Sequence, residues 1–175
     1  TYDISSEQGK ALIKKYDNLI ITRSFSKTFG LASLRIGYIV ANRKLINQIR
    51  KTSSPFKVNG IAQELALESL RDKNHLLESK NFIEKNRKFL IENLSNLGLK
   101  CTNSVTSNFL ADISSFNMDS SEFVSLLKIN GVSVTDGKPF RVADNKFVRI
   151  SVSTEEENIE FINIMKELIN KHTIK

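Results

Sequence analysis

The first third of the chain alternates apolar runs with polar segments at a spacing typical of short strands and helices. A run of Leu and Ile at residues 19–21 predicts a strand over Asn18 to Thr22, and a second apolar run predicts a strand over Ile36 to Ala41. The residues between them are mostly hydroxyl residues, glycine and single basic residues, which predicts a tight loop. A short helix is predicted before the first strand, over Ser5 to Tyr16, because serine is suited to cap its start.

Helices dominate the middle of the chain. A short helix predicted from Arg43 to about Lys51 places Leu and Ile side chains on one face, and Ser53-Ser54-Pro55 ends it. A second helix is predicted from Asn59 to Leu70, and a longer helix follows, which Gly98 ends. The longer helix is predicted from apolar residues that recur at sevenfold intervals, namely Leu76, Ile83, Leu90 and Leu97, with Leu94 filling the same face.

The last third of the chain alternates strands with helices. Its final helix begins at Thr154-Glu155-Glu156-Glu157, a capping box with acidic residues at the positive end of the helix dipole. Strands followed by helices that cover one face form a small α/β sandwich, so the predicted fold class is α/β. The other predicted elements are strands over Lys100 to Thr102, Asn108 to Ile113, Val132 to Val134 and Phe147 to Val152, and a helix over Ser120 to Ile129.

Size and composition are those of a globular chain. Its 175 residues, 40% of them hydrophobic, are enough for one ordinary core and for one or at most two domains. No apolar run approaches the roughly 18 residues of a membrane span, and the first residues lack the features of a signal peptide. A lone Cys101 excludes an internal disulfide. We therefore expect a cytoplasmic protein without a membrane partner, and the missing initiator Met suggests a chain cut from something longer.

The net charge of +7 is compatible with a nucleic-acid partner or an anionic surface. The basic residues are, however, spread over separate predicted helices, and no aromatic residues are interleaved with them for stacking on bases. Solvated helix faces explain most of the charge, so no nucleic-acid partner is expected. A non-catalytic basic binding module nevertheless stays as an alternative hypothesis.

The predicted loop between the first two strands carries the chemistry. It holds one lysine, Lys27, which can act as an amine nucleophile where partial desolvation or a neighbouring cation lowers its pKa. Ser24 and Ser26 offer hydroxyl donors, and Gly30 lets the backbone approach a ligand closely. Arg35 supplies a planar guanidinium suited to a bidentate phosphate contact. Together these groups suit a phosphorylated aldehyde.

Two other interpretations of this loop start from its composition. A lysine in a serine- and glycine-rich loop is most often only solvated surface. A phosphate loop of the nucleotide-binding kind requires a glycine immediately before the lysine, where this chain has Ser26. No metal site is predicted.

The stretch from Ser24 to Tyr38 closely resembles the Schiff-base lysine motif of fold-type I pyridoxal-phosphate (PLP) enzymes, the aminotransferases of classes I and II. The serine three residues before the lysine and the arginine eight residues after it fall where that family places its cofactor-phosphate ligands. The resemblance implies that Lys27 holds PLP covalently and then acts as general acid and base. It also implies that Ser24, Ser26 and Arg35 bind the cofactor phosphate.

A second feature lies in the predicted strand Phe147 to Val152. Alternation sends Val148 and Ile150 to one face of the strand and Arg149 to the other. By position alone, Arg149 is an ordinary exposed strand cation. The segment also resembles the C-terminal arginine motif of the aminotransferases, and this implies that Arg149 binds the α-carboxylate of the substrate or, in histidinol-phosphate aminotransferases, its phosphate.

Several details resemble the histidinol-phosphate aminotransferase branch, including the segment Pro55 to Asn59. Those enzymes commonly carry a second arginine just after the strand equivalent to Val132 to Val134, where this chain has Thr135. Lys138 or Arg141 could replace that cation, so the substrate stays open. The resemblance implies as substrates an amino donor, either an amino acid or an amino-alcohol phosphate, and a 2-oxo acid acceptor.

Tyr2 stands where the family has a tyrosine that hydrogen-bonds the phenolic oxygen of the cofactor. The aspartate that pairs with the pyridinium nitrogen would lie three residues before Tyr2, ahead of the first residue of the chain. The resemblance therefore covers the C-terminal half of a family member, and it implies a homodimer for the intact enzyme.

The resemblance also implies a division of the chain into three parts. Residues 1–54 would be a C-terminal strip of the large PLP-binding domain, residues 55–98 connecting helices, and residues 99–175 the small C-terminal α/β domain. The expected function is that of the C-terminal portion of a PLP-dependent aminotransferase. A PLP-dependent decarboxylase on the same fold is the nearer alternative, because the same cofactor supports both reactions.

Overall fold

The fold was obtained as a computed structural model, which describes residues 7–140 and 144–172. The chain divides into two compact units, an N-terminal unit of residues 1–80 and a C-terminal unit of residues 81–175. The division falls within one long helix. The three-part division expected from the sequence stays a prediction.

The N-terminal unit consists of helices and one β-hairpin. Strands β1 and β2 pair antiparallel from Ile20 opposite Ala41 to Ser24 opposite Gly37, with the lysine loop between them. The predicted strand–loop–strand arrangement is thus confirmed. Its elements are α1 (Glu7–Lys15), β1 (Ile20–Ser24), β2 (Gly37–Ala41), α2 (Arg43–Thr52), α3 (Gly60–Arg71) and the start of α4 (Lys73–Asn96).

Strand β1 begins two residues later than predicted and extends to Ser24. The backbone N–H of Leu19 donates a hydrogen bond to the carbonyl of Tyr16 at 3.3 Å, so the turn after α1 continues through Asn18. The side-chain amide of Asn42 donates to both the carbonyl and the carboxylate of Asp17, which holds this turn in place. The prediction of a strand at Asn18 was therefore wrong, and Ser24 belongs to the strand.

A small apolar cluster joins the lysine loop to helix α3. Its buried members are Phe25 and Ile36 from the loop and Ala62 and Ala66 from α3. Helix α3 begins where Asn59 accepts a hydrogen bond from the backbone N–H of Ala62 at 2.8 Å, an N-cap that fixes the start of the helix. The loop is thus anchored by packing against a capped helix.

The C-terminal unit is an α/β sandwich with one four-stranded antiparallel sheet. The sheet order is β3-β4-β6-β5, and the helices cover one face of it, because alternate residues of β4 and β6 are buried there. The predicted α/β class is confirmed. The elements are the rest of α4, β3 (Lys100–Cys101), β4 (Asn108–Asp112), α5 (Ser120–Ile129), β5 (Thr135–Asp136), β6 (Phe147–Ser151) and α6 (Glu155–His172).

The core of this unit combines side chains from three helices and two strands. Leu90 and Leu94 of α4 are fully buried, as is Leu127 of α5, and the alternation predicted for β6 is confirmed by Val148 and Ile150. Helix α6 adds Phe161, Ile162, Met165 and Leu168. A core of this size gives the C-terminal unit its own hydrophobic stabilisation.

The prediction of a strand over Val132 to Val134 was wrong. The N–H of Val132 donates to the carbonyl of Leu127 at 2.9 Å, and Gly131 has a φ of +81°, so the C-terminal turn of α5 extends through Val132. Pairing with β6 begins only at Thr135, which lies opposite Arg149. The two valines pack against the core without joining the sheet.

Candidate functional site

The lysine loop folds back on itself through backbone hydrogen bonds. The N–H of Phe25 donates to the carbonyl of Ile36 at 3.2 Å, and the N–H of Leu31 donates to the carbonyl of Phe25 at 3.0 Å. Between these bonds, the N–H of Gly30 donates to the carbonyl of Lys27 at 3.0 Å, and Gly30 has a φ of +69°, which glycine adopts readily. Lys27 therefore begins a tight turn whose backbone is held in place.

Aromatic side chains pack against one another next to this turn. Phe25 is only 3% exposed, and its ring centroid lies 5.0 Å from that of Phe29 and 5.7 Å from that of Tyr38. These are distances at which tilted aromatic pairs attract one another. The side chain of Lys27 itself is exposed. The packed side chains lie beside the backbone of Lys27 and leave its amine accessible, and its assignment as the cofactor lysine stays a prediction.

The two serines of the motif are joined by a local hydrogen bond. The N–H of Ser26 donates to Oγ of Ser24 at 3.0 Å, a turn in which a serine side chain caps the backbone two residues on. Ser24 ends β1 and is exposed, and Ser26 is half-buried. Both hydroxyl hydrogens remain able to rotate toward a ligand.

Arg35 closes the loop in an uncommon backbone conformation. Its φ of +50° places it in the left-handed region, which non-glycine residues adopt rarely. Its Nη1 donates to the carbonyl of Ala32 at 2.8 Å, across the short 3-10 turn Ala32–Leu34. That bond uses one of the five N–H donors of the guanidinium. The remaining donors of this exposed side chain can contact an oxyanion.

The donor set of the loop fits a phosphorylated aldehyde. Lys27 provides an accessible amine, and Ser24, Ser26 and Arg35 provide two hydroxyls and a cation on the same loop. Charge-assisted bonds to an arginine fork are strong and directional for phosphate oxygens. The residues present therefore match the chemistry of PLP, although their assignment as its ligands stays a prediction.

The second predicted site residue lies in the other unit. Arg149, on β6, donates from Nη2 to the hydroxyl of Thr135 at 3.2 Å. Its Cζ lies 5.3 Å from the ring centroid of Phe140, a cation–π contact. Its Nε is buried without a hydrogen-bond partner among residues 7–140 and 144–172. The sequence identified Thr135 only as a departure from a family pattern and missed both it and Phe140 as neighbours of Arg149.

Three further residues were named from the sequence. Tyr2 and Arg141 lie outside the described residues. Lys138 is exposed on the turn after β5, where its backbone N–H donates to the carboxylate of Asp136 at 2.9 Å.

The remaining reactive groups do not suggest another chemistry. Burial raises the pKa of the Cys101 thiol to about 11, so this cysteine is a poor nucleophile at neutral pH. Within the part of the chain that the structure describes, no three His, Cys, Asp or Glu side chains are grouped closely enough to hold a metal ion. None of the helices in that part combines the length and apolar character needed to cross a membrane.

Comparison with known proteins gives the family. The sequence model of the family described as Aminotransferase class I and II matches residues 3–164. The chain belongs to this family. Class I and II aminotransferases are fold-type I PLP-dependent enzymes, so the predictions of the family, the α/β fold class, the enzyme class and PLP as the cofactor of the family are confirmed.

Similar aminotransferases among curated proteins belong to the histidinol-phosphate branch. The histidinol-phosphate aminotransferase of Methanococcus aeolicus is 38% identical over 158 residues, which are 89% of this chain and 42% of that protein. That of Methanosphaera stadtmanae is 32% identical over 169 residues, which are 96% of this chain and 46% of that protein. The chain therefore spans less than half the length of these curated relatives.

Two solved structures of similar fold are named for different activities. The histidinol-phosphate aminotransferase from Clostridium acetobutylicum has a TM-score of 0.86 at 27% identity, over 97% of this chain and 50% of that one. The L-threonine-O-3-phosphate decarboxylase from Porphyromonas gingivalis has a TM-score of 0.79 at 29% identity, over 91% of this chain and 49% of that one. The similarity of fold therefore does not distinguish amino transfer from decarboxylation, and the reaction has to be argued from the residues.

Proposed function

We propose that the chain is the C-terminal portion of a PLP-dependent aminotransferase. It would transfer an amino group between an amino acid or an amino-alcohol phosphate, of the histidinol-phosphate kind, and a 2-oxo acid. The observation that carries this proposal is the lysine loop, in which an accessible amine, two serine hydroxyls and an arginine fork lie on one backbone held by Phe25 and Gly30.

In this proposal each residue of the loop has a separate role. Lys27 would hold the cofactor through Nζ, and its Nζ would carry a proton to and from the reacting carbon. Ser24, Ser26 and Arg35 bind the phosphate with charge-assisted and neutral hydrogen bonds. When bound, PLP supplies the electron sink for the negative charge that develops at the substrate carbon. The anchored backbone of the loop keeps Lys27 and the phosphate ligands on one turn of the chain.

Arg149 would orient the substrate by binding its carboxylate or phosphate. The guanidinium stays charged at every physiological pH, so this contact does not depend on protonation. Tyr2 is proposed as a further cofactor ligand from the family motif alone. We also infer a cytoplasmic enzyme that acts as a homodimer when it has the full length of its relatives.

Covalent labelling tests the assignment of Lys27. The chain would be mixed with one equivalent of PLP, reduced with borohydride and digested, and the pyridoxyl group located by mass spectrometry. We expect the label on the peptide that contains Lys27, and we expect Lys27→Arg to lose that label while the background on other peptides is unchanged. Lys57, also exposed and also close to the hairpin in sequence, is the matched control through Lys57→Arg. Label spread evenly over the exposed lysines would contradict the assignment of Lys27 as the cofactor lysine.

A PLP-dependent decarboxylase is the second candidate. It is favoured by one observation, the 29% identity to the decarboxylase of Porphyromonas gingivalis, which is close to the 27% identity to the aminotransferase of Clostridium acetobutylicum. An assay of a protein with the full length of its relatives separates the two reactions. Amino transfer to 2-oxoglutarate supports the aminotransferase, and release of carbon dioxide from a phosphorylated amino acid supports the decarboxylase.

A further inference from the structure

Strands β5 and β6 bring Thr135 and Arg149 together on one face of the sheet. Thr135 lies directly opposite Arg149, and Asp136 lies opposite Val148. Because side chains alternate along a strand, Asp136 and the buried Val148 share the face that the helices cover, and Thr135 and Arg149 share the other face. The hydrogen bond from Nη2 to the threonine hydroxyl is therefore a direct cross-strand pair.

Strand β5 is only two residues long, and hydrogen bonds of Asp136 hold it against helix α5. The carboxylate of Asp136 accepts hydrogen bonds from the hydroxyls of Ser120 at 2.5 Å and Ser121 at 2.7 Å, at the start of α5. It also accepts the backbone N–H of Lys138 at 2.9 Å. Since Ser120 is fully buried, these bonds fix β5 to the first turn of α5 and so fix the position of Thr135.

The turn after β5 carries Phe140 back toward Arg149. The N–H of Gly137 donates to the carbonyl of Phe147 at 2.9 Å, and a Cβ at Gly137 would lie 2.1 Å from that oxygen, so only glycine permits this approach. The N–H of Phe140 then donates to the carbonyl of Gly137 at 2.8 Å, which closes the turn. The ring of Phe140 comes to lie 5.3 Å from Cζ of Arg149.

We propose that Thr135 and Phe140 are positioning residues that hold the Arg149 guanidinium in place to bind one carboxylate group of the substrate. This inference rests on the proposed function of Arg149 as the substrate-binding cation. Thr135 fixes the rotation of the guanidinium through Nη2, and the ring of Phe140 contacts it through a cation–π interaction. A guanidinium held in this way loses less conformational entropy when it binds an oxyanion.

Among residues 7–140 and 144–172, the groups that contact the Arg149 guanidinium add no second cation, and this favours a carboxylate over a phosphate. Of the residues in the described ranges, those that bond to or stack on the guanidinium are Thr135 and Phe140, which are both uncharged. The nearest acid on β5, Asp136, is directed to the opposite face and bonded to α5. One arginine matches the single charge and the planar pair of oxygens of a carboxylate. A phosphate dianion carries about twice that charge and would leave part of it unpaired.

Nuclear magnetic resonance of the arginine side chains tests the inference without the cofactor. The full chain would be labelled at arginine and titrated with acetate at pH 8, and Arg149 assigned by its loss in Arg149→Lys. We expect acetate to shift the Arg149 resonance, with a dissociation constant about fivefold higher in Thr135→Val, the factor expected for one net hydrogen bond. Rotation about the Nε–Cζ bond should also be faster in that variant, and Thr135→Ser should restore both values.

Three more variants complete the test. Phe140→Leu keeps an apolar cover but loses the cation–π contact, and it should weaken acetate binding about three- to fivefold. Ser151→Ala removes an exposed hydroxyl two residues along β6 and is the matched control, with no expected change. Thr135→Arg supplies a second cation and should strengthen binding of inorganic phosphate about tenfold or more, with a smaller effect on acetate.

The inference is overturned if Thr135→Val binds acetate as tightly as the parent chain with an unchanged rotation rate. It is also overturned if the parent chain binds inorganic phosphate more tightly than acetate at Arg149. A backbone amide spectrum of each variant distinguishes a local change from unfolding of the C-terminal unit. Where Thr135→Val unfolds, Phe140→Leu tests the inference, and unchanged acetate binding in that variant overturns it. Failure of PLP labelling at Lys27, by contrast, would overturn the proposed function in an independent experiment on the other unit.

Discussion

Asn158 of helix α6 donates a hydrogen bond from Nδ2 to Oδ1 of Asn86 of helix α4 at 3.0 Å inside the C-terminal unit. Both side chains are 3% exposed. Asn158 also accepts the backbone N–H of Ser153 at 3.1 Å and donates to its carbonyl at 2.9 Å. The pair therefore joins two helices and the segment that leads from β6 into α6, and it does so with polar groups that water does not reach.

We expect Asn158→Ala to lower the free energy of unfolding of the C-terminal unit by about 2 to 4 kcal/mol. The variant leaves the buried amide oxygen of Asn86 without a partner, which costs about 1 to 3 kcal/mol before relaxation, and it also removes two hydrogen bonds to the backbone of Ser153, each worth about 0.5 to 1.5 kcal/mol. Urea denaturation followed by circular dichroism measures the change. Asn163→Ala, on the exposed face of α6, is the control and should change stability by less than about 1 kcal/mol. Equal changes in the free energy of unfolding for both substitutions would show that the buried hydrogen bonds of Asn158 do not stabilise the unit.

A second prediction concerns Gly37, the first residue of β2. An added Cβ would lie 2.6 Å from the carbonyl oxygen of Arg23 on the paired strand, and backbone atoms cannot move aside cheaply. Gly37→Ala should therefore separate the strands locally and speed hydrogen exchange of the hairpin amides about tenfold or more, equivalent to roughly 1.4 kcal/mol or more. Gly60→Ala, at the start of α3 with open space around the added carbon, should be neutral or slightly stabilising. Unchanged exchange in Gly37→Ala would mean that the hairpin adapts to the methyl group.

Elements with local signals could be predicted from the sequence. Helix α5 was predicted over Ser120 to Ile129, and the structure has the same bounds, because its apolar spacing and the glycine that follows are local features. The bounds of strand β6 were predicted within one residue, because the alternation of its apolar and polar residues is also a local feature. Strand β5 could not be predicted, since two residues carry no period and their pairing depends on β6, which is distant in sequence.

For the candidate sites too, local features could be predicted from the sequence and features that depend on distant residues could not. Lys27, Ser24 and Arg35 were proposed from a motif that is contiguous in the sequence, so resemblance alone was enough to propose them. The left-handed conformation of Arg35 and the exposure of Lys27 depend on how the loop packs on Phe25 and α3, and the pattern of residue types does not encode this packing locally. The contact between Arg149 and Thr135 depends on strand register, which one sequence does not reveal.

A third prediction separates the roles of the two arginines. Arg35→Ala should weaken PLP binding about tenfold or more, because a charge-assisted contact to phosphate is worth about 1.5 to 3 kcal/mol. Arg149→Ala should leave PLP binding nearly unchanged and raise KM for the amino donor in a protein with the full length of its relatives. Absorbance titration with PLP and steady-state kinetics measure the two effects. Arg35→Lys is the matched control, since it keeps the charge without the fork and should fall between the parent and Arg35→Ala. Equal loss of PLP in Arg35→Ala and Arg149→Ala would argue against separate roles.

The last prediction is a pH dependence that arises from Asp136. The hydroxyl of Ser120 lowers the pKa of this carboxyl most strongly, and burial, the next largest effect, opposes it. The backbone N–H of Lys138, the hydroxyl of Ser121 and the charge of Lys138 lower the pKa further. A carboxyl whose pKa is lower in the folded than in the unfolded chain stabilises the fold at pH values above the unfolded pKa, which is about 3.9 for aspartate. That stabilisation is lost as the pH falls below this value and through the folded pKa. Asp136→Asn should therefore lower the stability of the C-terminal unit at pH 7, and the difference from the parent chain should shrink steadily below about pH 4.

Thermal unfolding of both chains between pH 2.5 and pH 7 measures this difference. Asp119→Asn is the control, because Asp119 caps α5 through the N–H of Glu122, and asparagine caps a helix about as well as aspartate. Its effect should be small throughout the range. A stability difference for Asp136→Asn that stays constant from pH 7 to pH 2.5 would show that the ionised carboxylate is not what fixes β5 to α5. In that case the position of Thr135, and with it the orientation of Arg149, would depend on packing alone.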